Sequence, residues 1–427
     1  MPAFSTRLEL MRILYSVLLT LAVPLILLRL YWRGGKNPAY RQRWGERFGF
    51  VPSLPENSCL WIHAVSVGEV RAALPLINAL QERYPARGLL VTTTTPTGSQ
   101  QVYHALGDSV SHAYLPYDLP GAVRRFLSRV QPGLAIVMET ELWPNVYHQC
   151  AAANIPLVVA NARLSARSTS RYLRLADFSR SVLAHTTLIA AQSELDAERF
   201  RALGAPRVRV MGNLKYDLSL PTKLPAQGGA LRQALGISRP VLVAASTHSG
   251  EDEQVLEAFL TARCRLPDLL LVLVPRHPER FDTVANLCSQ RGLTVVRRST
   301  GQSCTSTTAV FLGDSMGELL LFYAAADVAF VGGSLVPHGG HNALEAALLG
   351  LPVLFGPHMF NFIEVSERLL TAQAAWRVTN AEELAARLVE LVADHSLRRV
   401  AGQRAQTVVE ENRGALAKLL TLIDEFA

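Results

Sequence analysis

The stretch of sequence that decides the fold is Val328–Gly356, VAFVGGSLVPHGGHNALEAALLGLPVLFG. The apolar run Val328–Val331 predicts a buried strand, and the glycines that follow end it. Good helix-forming residues predict a helix over Ala343–Leu349, and Gly350 ends it before a second apolar run, Val353–Phe355. A strand, a glycine loop, a helix and a second strand in this order predict a parallel α/β sheet.

The loop in this stretch predicts a nucleotide site. Gly339 and Gly340 precede the helix, where unpaired backbone N–H groups and the positive end of the helix dipole favour a phosphate. Glu345 lies three residues past Asn342, so its carboxylate is placed to accept hydrogen bonds from ribose hydroxyls. His341 is interpreted as a cap or a phosphate contact, because no second metal-ligand motif stands near it. A capped helix with a solvated glutamate is the alternative interpretation.

Length and charge narrow the class of protein. At 427 residues the chain is too long for one ordinary core, so two domains are predicted. The formal net charge of +7 favours acidic partners such as nucleotides, anionic lipids or phosphorylated substrates. Nucleic acid is not predicted as a partner, because the basic residues are not clustered with aromatic ones.

The cysteines indicate a reducing compartment. They are Cys59, Cys150, Cys264, Cys288 and Cys304. Their number is odd and no two of them form a CxxC pair, which predicts reduced cytosolic thiols. Neither a zinc site nor a redox pair is expected.

An apolar run near the amino terminus predicts a membrane anchor over residues 1–33. Ile13–Leu28 carries no charge, and basic residues flank it: Arg7 and Arg12 before it, and Arg29, Arg33, Lys36, Arg41, Arg43 and Arg47 after it. The uncharged core falls somewhat short of a ~30 Å hydrocarbon layer, so a span and an interfacial helix both stay open. A cleaved signal peptide is not favoured, because no small-x-small site follows. The larger positive charge after the run predicts that the rest of the chain is cytoplasmic.

Short apolar runs alternate with helical stretches on both sides of a segment rich in proline and glycine. Strands are predicted near residues 60–66, 88–94, 134–139, 156–160 and 187–191, and again near 240–246, 268–275, 293–296, 309–313, 327–333 and 352–355. This pattern predicts two doubly wound parallel sheets, in domains 34–217 and 230–400. A linker is predicted at 218–229 and a C-terminal helix at 401–427. Ligands of such sheets bind outside the carboxyl ends of the strands, so a cleft between facing domains is expected there.

Charged residues follow the predicted strands of the first domain. Glu69 begins a helix after the first strand, where its carboxylate is a candidate general base. The alternative is an ordinary first-turn acid that complements the helix dipole. Glu139 and Glu141 follow another strand, and one of them is expected to face the site. Lys215, in the motif GNLKYD, is a candidate cation at the cleft rather than a surface residue.

Two further junctions between a strand and a helix in the second domain favour a nucleotide-binding site. Arg276 comes directly after Pro275 at a strand end, where its guanidinium would reach over the sheet edge toward an anion. An ion pair with Glu279 or Glu251 is the alternative. Met316–Glu318 lies at another strand-to-helix junction, whose backbone N–H groups are candidate donors to a base or a phosphate.

Taken together, these motifs resemble those of the 3-deoxy-D-manno-octulosonic acid (Kdo) transferases of lipopolysaccharide biosynthesis. The resemblance covers nearly the whole chain and rests on RQRWGERFG, HAVSVGEV, ETELWPN, NARLS, GNLKYD, VPRHPER, GDSMGEL and GGSLVPHGGHNALEAA. It implies a GT-B fold, with two Rossmann-like domains facing across a cleft and an N-terminal membrane-anchor helix. It also implies a glycosyltransferase located at the cell inner membrane.

The resemblance implies roles for particular residues. Glu69 would be the general base, and Glu139 and Lys215 would stabilise the transition state. The implied donor is CMP-Kdo, held by Pro275, Arg276, Met316, Gly317, Glu318, Asn342, Ala343, Leu344 and Glu345. The implied acceptor is lipid IVA, the tetraacylated and twice-phosphorylated disaccharide precursor of lipid A.

The implied reaction inverts the anomeric carbon in a single displacement, with oxocarbenium character as in glycoside hydrolysis. The sequence contains no Asp-x-Asp pair that would hold Mg²⁺ on a diphosphate, so neither a metal nor another cofactor is expected. Two alternatives stay open: a GT-B transferase that uses a UDP-sugar on another lipid acceptor, and a membrane-tethered nucleotide-sugar-binding protein without catalysis. A nucleic-acid binder ranks third and predicts salt-sensitive binding to oligonucleotides.

Overall fold

The computed structural model describes residues 2–35, 37–53 and 58–427, with side chains from Glu9 onward. Lys36, one of the flanking charges, lies outside the described residues, as does the side chain of Arg7. The chain divides into two compact units. Met1–Asp217 and Arg413–Ala427 form the first unit, and Leu218–Asn412 forms the second.

The first unit contains a seven-stranded sheet. Its strands are β1 Cys59–His63, β2 Leu89–Thr93, β3 Ser111–Tyr114, β4 Pro132–Met138, β5 Leu157–Ala162, β6 Leu188–Ala191 and β7 Val208–Val210. Its α-helices are α1 Pro2–Arg33, α2 Val67–Arg83, α3 Pro96–Leu106, α4 Pro120–Val130, α5 Pro144–Ala152, α6 Ala166–Leu173, α7 Ala176–Leu183, α8 Glu194–Ala202 and, from the end of the chain, α17 Ala415–Ile423. Short 3₁₀ turns cover Pro38–Arg41, Trp44–Phe48, Gly107–Ser109 and Leu214–Tyr216. The strands pair in parallel in the order β3-β2-β1-β4-β5-β6-β7.

The second unit repeats this architecture. Its strands are β8 Val241–Thr247, β9 Leu270–Pro275, β10 Val295–Arg297, β11 Val310–Leu312, β12 Val328–Val331, β13 Val353–Phe355 and β14 Ala375–Arg377. Its α-helices are α9 Leu224–Leu235, α10 Asp252–Arg263, α11 Phe281–Gln290, α12 Leu319–Ala324, α13 Leu344–Leu348, α14 Ile363–Thr371, α15 Ala381–Ala393 and α16 His395–Glu411. The 3₁₀ turns are Pro278–Arg280 and Arg298–Thr300. The strands pair in parallel in the order β10-β11-β9-β8-β12-β13-β14.

Alternation along the strands builds a core on each face of the first sheet. Cys59 and Trp61 of β1 pack into one core, while Leu60 and Ile62 pack into the other. All four side chains are at most 1% exposed. A parallel sheet covered by helices on both faces needs strands that are apolar throughout, which is why the apolar runs revealed the central strands. The predicted doubly wound α/β fold class is confirmed.

Strand order reverses once in each sheet, and this point positions the functional residues. In the first sheet β1 lies between β2 and β4, and in the second β8 lies between β9 and β12. The loops that follow β1 and β4 therefore diverge to opposite faces, as do the loops that follow β8 and β12. Such a divergence leaves a crevice at the carboxyl ends of the strands, where ligands of this fold class bind.

The segments at the predicted domain boundaries differ from expectation. The predicted linker 218–229 is helical in its second part, because α9 begins at Leu224. The predicted C-terminal helix 401–427 consists of the end of α16 and the separate helix α17, which belongs to the first unit. Asp217 fixes the start of this last segment against the first unit, because its carboxylate accepts hydrogen bonds from the N–H groups of Gly414 and Leu416 at 2.6 Å each. Leu419 and Ile423 then pack into the core beside α2.

Helix α1 is the apolar amino-terminal element. Its segment Glu9–Arg33 has a mean hydropathy of 2.3 and is long and apolar enough to cross a membrane, judged by length and composition. Pro24 lies inside the helix. An apolar helix is thus present in the predicted place and ends at Arg33, and its attachment to a membrane stays a prediction.

Candidate active site

Glu69 lies at the point of the first sheet where strand order reverses. β1 ends at His63, and α2 begins at Val67, so Glu69 stands in the first turn of α2. Its Oε2 accepts the backbone N–H of Val65 at 2.8 Å. Burial, with smaller contributions from the charges of Glu139 and Glu141, raises the pKa of Glu69 to about 8, against the opposing effect of the hydrogen bond from Val65. A solvated helix-turn acid would keep its ordinary pKa, so this carboxyl has an environment suited to proton transfer.

Glu139 and Glu141 follow β4, the neighbouring strand. Glu139 has a φ of 56°, in the left-handed region that ordinary residues rarely adopt, and its N–H is donated to the carbonyl of Ala160 at 2.9 Å. Burial raises the pKa of Glu141 to about 7, with a smaller contribution from Glu139. The charges of both carboxylates therefore help to raise the pKa of Glu69, whereas the sequence predicted that one of the two would face the site. The strand ends before them, as the Trp-Pro pair after them indicated.

Lys215 lies on a short turn that contacts α2, the helix that carries Glu69. The turn is held by two asparagines. Asn213 Oδ1 accepts the N–H of Lys215 at 3.0 Å, and Asn161 Oδ1 accepts that of Leu214 at 3.1 Å. Asn161 has a φ of 52° and interrupts the register of β5 with β6. Such an irregularity turns a side chain away from the ordinary strand direction, here toward the lysine turn.

Three polar atoms at these strand ends are buried without a hydrogen-bond partner among the described residues. They are His63 Nε2, Trp143 Nε1 and Asn161 Nδ2. His63 is fixed through Nδ1, which lies 2.9 Å from Thr92 Oγ1, and burial lowers the pKa of His63 to about 4. The rings of His63 and Trp143 lie 6.3 Å apart. Native proteins rarely leave buried polar atoms unpaired, so these strand ends are candidate contacts for a polar ligand. The sequence signal was a histidine that ends the apolar run of β1, which our sequence interpretation passed over.

In the second unit, the glycine loop after β12 is organised by a carboxylate from another loop. Glu251 is fully buried, and its two oxygens accept the N–H groups of Gly333, Ser334 and Leu335 at 2.6, 3.0 and 2.9 Å. It also accepts the N–H of His248 at 3.2 Å. Burial raises the pKa of Glu251, and the four N–H groups oppose that effect. The sequence predicted Glu251 only as a possible partner of Arg276, because in the polar junction at residues 246–253 nothing distinguishes it from the acids beside it.

Four histidines gather beside this loop. The ring of His248 stacks on those of His338 and His341, with centroids 4.2 and 5.1 Å apart, and contacts the edge of His277 at 5.4 Å. The Nε2 atoms of His248 and His341 are 2.8 Å apart, so one of them donates a hydrogen bond to the other. Burial, together with the charges of neighbouring histidines and arginines, lowers the pKa values of His248 and His341 to about 4 and about 3.

Two arginines complete this histidine cluster. Arg276 donates its N–H to the carbonyl of Thr247 at 3.0 Å, and its charge contributes to the low pKa of His341. Arg280 donates to the same carbonyl at 2.9 Å and forms an ion pair with the buried Asp252. The predicted strand end at Pro275, directly before Arg276, is confirmed, and the reach of the Arg276 guanidinium toward an anion stays a prediction. The histidine cluster as a whole was not predicted, because its members come from three loops.

The glycine loop itself differs from the predicted phosphate cradle. Helix α13 covers only Leu344–Leu348, so it is shorter than predicted and has a small dipole. Gly340 donates its N–H to the carbonyl of Gly333 at 2.8 Å. A Cβ at Gly339 or Gly340 would collide with the segment at residues 358–361, so both glycines serve close packing within the chain. The N–H of Gly340 is thus engaged within the chain, and the approach of a phosphate to these two glycines stays a prediction.

The remaining predicted donor residues lie on the loops after β11 and β12 and at the start of α13. Asn342 Nδ2 donates to Glu345 Oε1 at 3.3 Å, and Asn342 Oδ1 accepts the N–H of Leu344 at 3.2 Å. Ala343 and Leu344 are buried behind them. Glu318 forms a two-point ion pair with Arg298, with N–O distances of 2.7 and 3.0 Å, and the hydrogen bonds from Arg298 hold the pKa of Glu318 below its ordinary value.

The backbone around Glu318 is the part of this junction that faces solvent. Gly317 has a φ of 82° and is exposed, as is Met316. Since the Glu318 carboxylate is engaged by arginine, the N–H groups of this turn are the better candidate donors to a ligand. Among residues 2–35, 37–53 and 58–427, no three His, Cys, Asp or Glu side chains are arranged to hold a metal ion.

Comparison with known proteins identifies the family. A model described as 3-deoxy-D-manno-octulosonic-acid transferase (kdotransferase) matches residues 42–218. The 3-deoxy-D-manno-octulosonic acid transferase of Haemophilus influenzae is 46% identical over 97% of this chain and 98% of its own length. That of Bordetella pertussis is 37% identical over 96% of this chain and 98% of its own length. The chain belongs to the Kdo transferase family.

The fold comparison agrees with this membership. A glycosyltransferase from Rickettsia africae matches with a TM-score of 0.55 over 87% of this chain and 99% of its own, at 14% identity, which shows the fold alone. The predicted family, the GT-B fold and the glycosyltransferase class, with Kdo transfer in lipopolysaccharide biosynthesis, are confirmed. The transferase thus carries a carboxylate cluster on its first unit and a histidine and arginine cluster on its second. The roles of the individual residues stay predictions.

Proposed function

We propose that this transferase moves Kdo from CMP-Kdo to lipid IVA with inversion, and that Glu69 is the general base. The observation that carries the proposal is the environment of Glu69 at the reversal of strand order. A carboxyl that holds its proton up to a pH of about 8 is a stronger base, once ionised, than an ordinary glutamate. Family membership supplies the sugar, and the two phosphates and acyl chains of the acceptor fit a basic chain with an apolar anchor.

The donor is assigned to the second unit. Arg276 and the neighbouring histidines offer one fixed positive charge and several N–H donors, which suit the phosphate of CMP and the carboxylate of Kdo. Asn342, which precedes α13, and Glu345, in the first turn of α13, are assigned to the ribose hydroxyls, and the turn Met316–Glu318 offers backbone donors to the cytosine. Pro275, Ala343 and Leu344 shape the walls of this site.

The chemical step needs one proton acceptor and stabilisation of the leaving group. Ionised Glu69 takes the proton of a primary hydroxyl of the disaccharide while that oxygen forms a bond to the anomeric carbon. The bond from this carbon to the phosphate oxygen breaks, and CMP leaves with the electron pair. Lys215 and Arg276 are assigned to the negative charge that develops on the phosphate, because a cation beside the ring carbon would oppose its positive charge. We assign Glu139 to stabilise the positive charge that develops on the anomeric carbon and the ring oxygen.

The proposal also covers location and metal dependence. The acyl chains of the acceptor stay in the bilayer, so we assign the enzyme to the cytoplasmic face of the inner membrane. CMP carries a single phosphate, which fixed cations neutralise without Mg²⁺. Transfer is therefore expected without added metal.

The test is to incubate the purified chain with CMP-Kdo and lipid IVA and to follow the lipid by mass spectrometry. A mass increase of one or more Kdo units supports the proposal, and the number of additions is read from the same spectrum. CMP should inhibit transfer and UDP should not. No transfer, or inhibition by UDP alone, would favour the transferase that uses a UDP-sugar.

A further inference from the structure

Helix α1 has two different sides. Large apolar residues recur along one side at intervals of three and four, which places them on a single stripe. These exposed residues are Leu10, Ile13, Leu14, Val17, Leu18, Leu21, Leu25 and Leu28. On the other side the residues are partly or fully buried: Tyr15, Ser16, Leu19, Ala22, Val23, Ile26 and Leu30. A helix that crosses a bilayer by itself meets lipid on every side, whereas α1 offers lipid one stripe along its length.

The beginning of α1 is bound to the first unit by buried polar contacts. Asn145 at the start of α5 donates to Ser16 Oγ at 3.0 Å and accepts from Arg12 at 3.2 Å. Asn145 is itself fixed by Asp118, whose carboxylate accepts the N–H groups of Asn145 and Val146 at 3.0 and 2.8 Å. Asn145 and Asp118 are at most 1% exposed. Separating α1 from this site would leave buried polar groups unpaired, at a cost of about 1–3 kcal/mol for each group.

The end of α1 is bound to the same unit. Arg41 donates to the carbonyl of Tyr31 at 3.1 Å and stacks over the Tyr31 ring at 4.2 Å, so the chain folds back directly after the helix. Arg43 and Arg47 follow within a few residues and stack over Tyr114, at 4.7 and 4.3 Å from the ring centre. Tyr114 belongs to β3, so the chain is anchored in the sheet of the first unit soon after α1 ends.

We propose that α1 is an anchor that lies in one leaflet, parallel to the membrane plane, and does not cross the bilayer. A folded unit stays on one side of a membrane, and a helix bound to it at both ends keeps both ends on that side. The exposed stripe faces the acyl chains, and the opposite side packs against α5 and α7. This inference rests on the proposed membrane attachment and specifies its form.

The groups at the two ends of the stripe fit headgroup depth. Arg12, His148 and His185 line a cavity of about 270 Å³ beside α5 and α7. At the other end Tyr31 and Trp32 are 52% and 71% exposed. Basic and aromatic side chains of this kind prefer the interface between water and hydrocarbon. An in-plane helix brings both ends to that depth on one leaflet.

Nitroxide depth measurements test this orientation. The background is the full chain with Cys264→Ser and Cys304→Ser, and single labels are attached in Leu14→Cys, Leu21→Cys and Leu28→Cys. Each protein is bound to vesicles of lipid IVA in phosphatidylethanolamine and phosphatidylglycerol, and collisions with oxygen and a water-soluble nickel complex give the depth. An in-plane helix gives similar depths at all three positions, roughly 5–10 Å below the headgroups. A crossing helix places Leu21 about 10 Å deeper than the other two, at 1.5 Å per residue, and overturns the inference.

Sidedness gives an independent readout. Glu9→Cys and Arg33→Cys in the same background are exposed to an impermeant maleimide in right-side-out and in inverted vesicles. Labelling of both positions from the same side is expected, and labelling from opposite sides would overturn the in-plane orientation. If the unmodified chain does not bind vesicles at all, the proposed membrane attachment itself fails.

Discussion

Replacing Glu69 by glutamine should make the enzyme more stable and nearly inactive. The Gln carbonyl can still accept the N–H of Val65, so the substitution removes the titrating proton and little else. The difference between the ordinary pKa of 4.5 and about 8 corresponds to roughly 5 kcal/mol. Because the folded pKa is raised, the folded chain binds more protons than the unfolded chain between these values, and stability falls as pH rises through that window. About one pH unit above the folded pKa the loss is complete.

The glutamine variant does not titrate, so its advantage should grow by roughly 2 kcal/mol between pH 6 and pH 8 and become constant about one pH unit above the folded pKa. Thermal unfolding of the two proteins across this range measures the effect. The difference in Tm should grow by about 4 °C or more. Glu82→Gln is the matched control, since Glu82 is an exposed glutamate at the other end of α2. Its Tm difference from wild type should not change with pH.

Activity should move in the opposite direction. Glu69→Gln should lower turnover by the ~10²–10⁴-fold typical of a lost general base, while CMP affinity stays the same. For the unmodified enzyme, kcat/KM should rise with pH, reach half its maximum near pH 8 and level off above that, because the base must lose its proton first. Parallel stability curves for variant and wild type would show that burial does not raise this pKa. Undiminished turnover would remove Glu69 from the mechanism.

Three further predictions concern the second unit and the dependence of transfer on a metal ion. Glu251→Gln should lower Tm and weaken CMP binding. The amide N–H₂ of glutamine would face two of the four backbone N–H groups whose hydrogen bonds the carboxylate accepts. Glu253 is exposed, so Glu253→Gln is the control and should change neither Tm nor CMP binding. Arg276→Ala should raise the Kd for CMP by about 10–100-fold, the loss expected for a charged hydrogen bond, whereas the exposed Arg265→Ala should leave it unchanged, and equal affinities in calorimetry would discredit this phosphate site. EDTA should leave transfer unaffected, and a loss of activity restored by Mg²⁺ would refute the metal-free mechanism.

The central strands and their chemistry could be predicted because they depend on local pattern. β12 and the strands beside it are buried on both faces, so their apolar runs are visible in the sequence. The edge strands β3, β7 and β14 were missed, since they are short and partly exposed and lack that signal. The position of Glu69 after β1 followed from the same local pattern, although its pKa did not.

Contacts between distant segments account for what the sequence did not reveal. Glu251 reaches a loop that lies more than eighty residues further along the chain, and the histidine cluster joins loops after β8, β9 and β12. The carboxylates of Glu139 and Glu141 affect Glu69 only because β4 pairs with β1. The spacing of residues within one segment does not predict contacts of this kind.

The sequence by itself determined the family, the two doubly wound sheets and an apolar helix at the amino terminus, because motif identity and hydrophobic periodicity are properties of neighbouring residues. The tertiary structure alone decided which charged groups share a site, how strongly burial shifts the pKa of Glu69, and which side of α1 stays exposed. These depend on the solvent that folding removes and on the partners that it brings together from far along the chain.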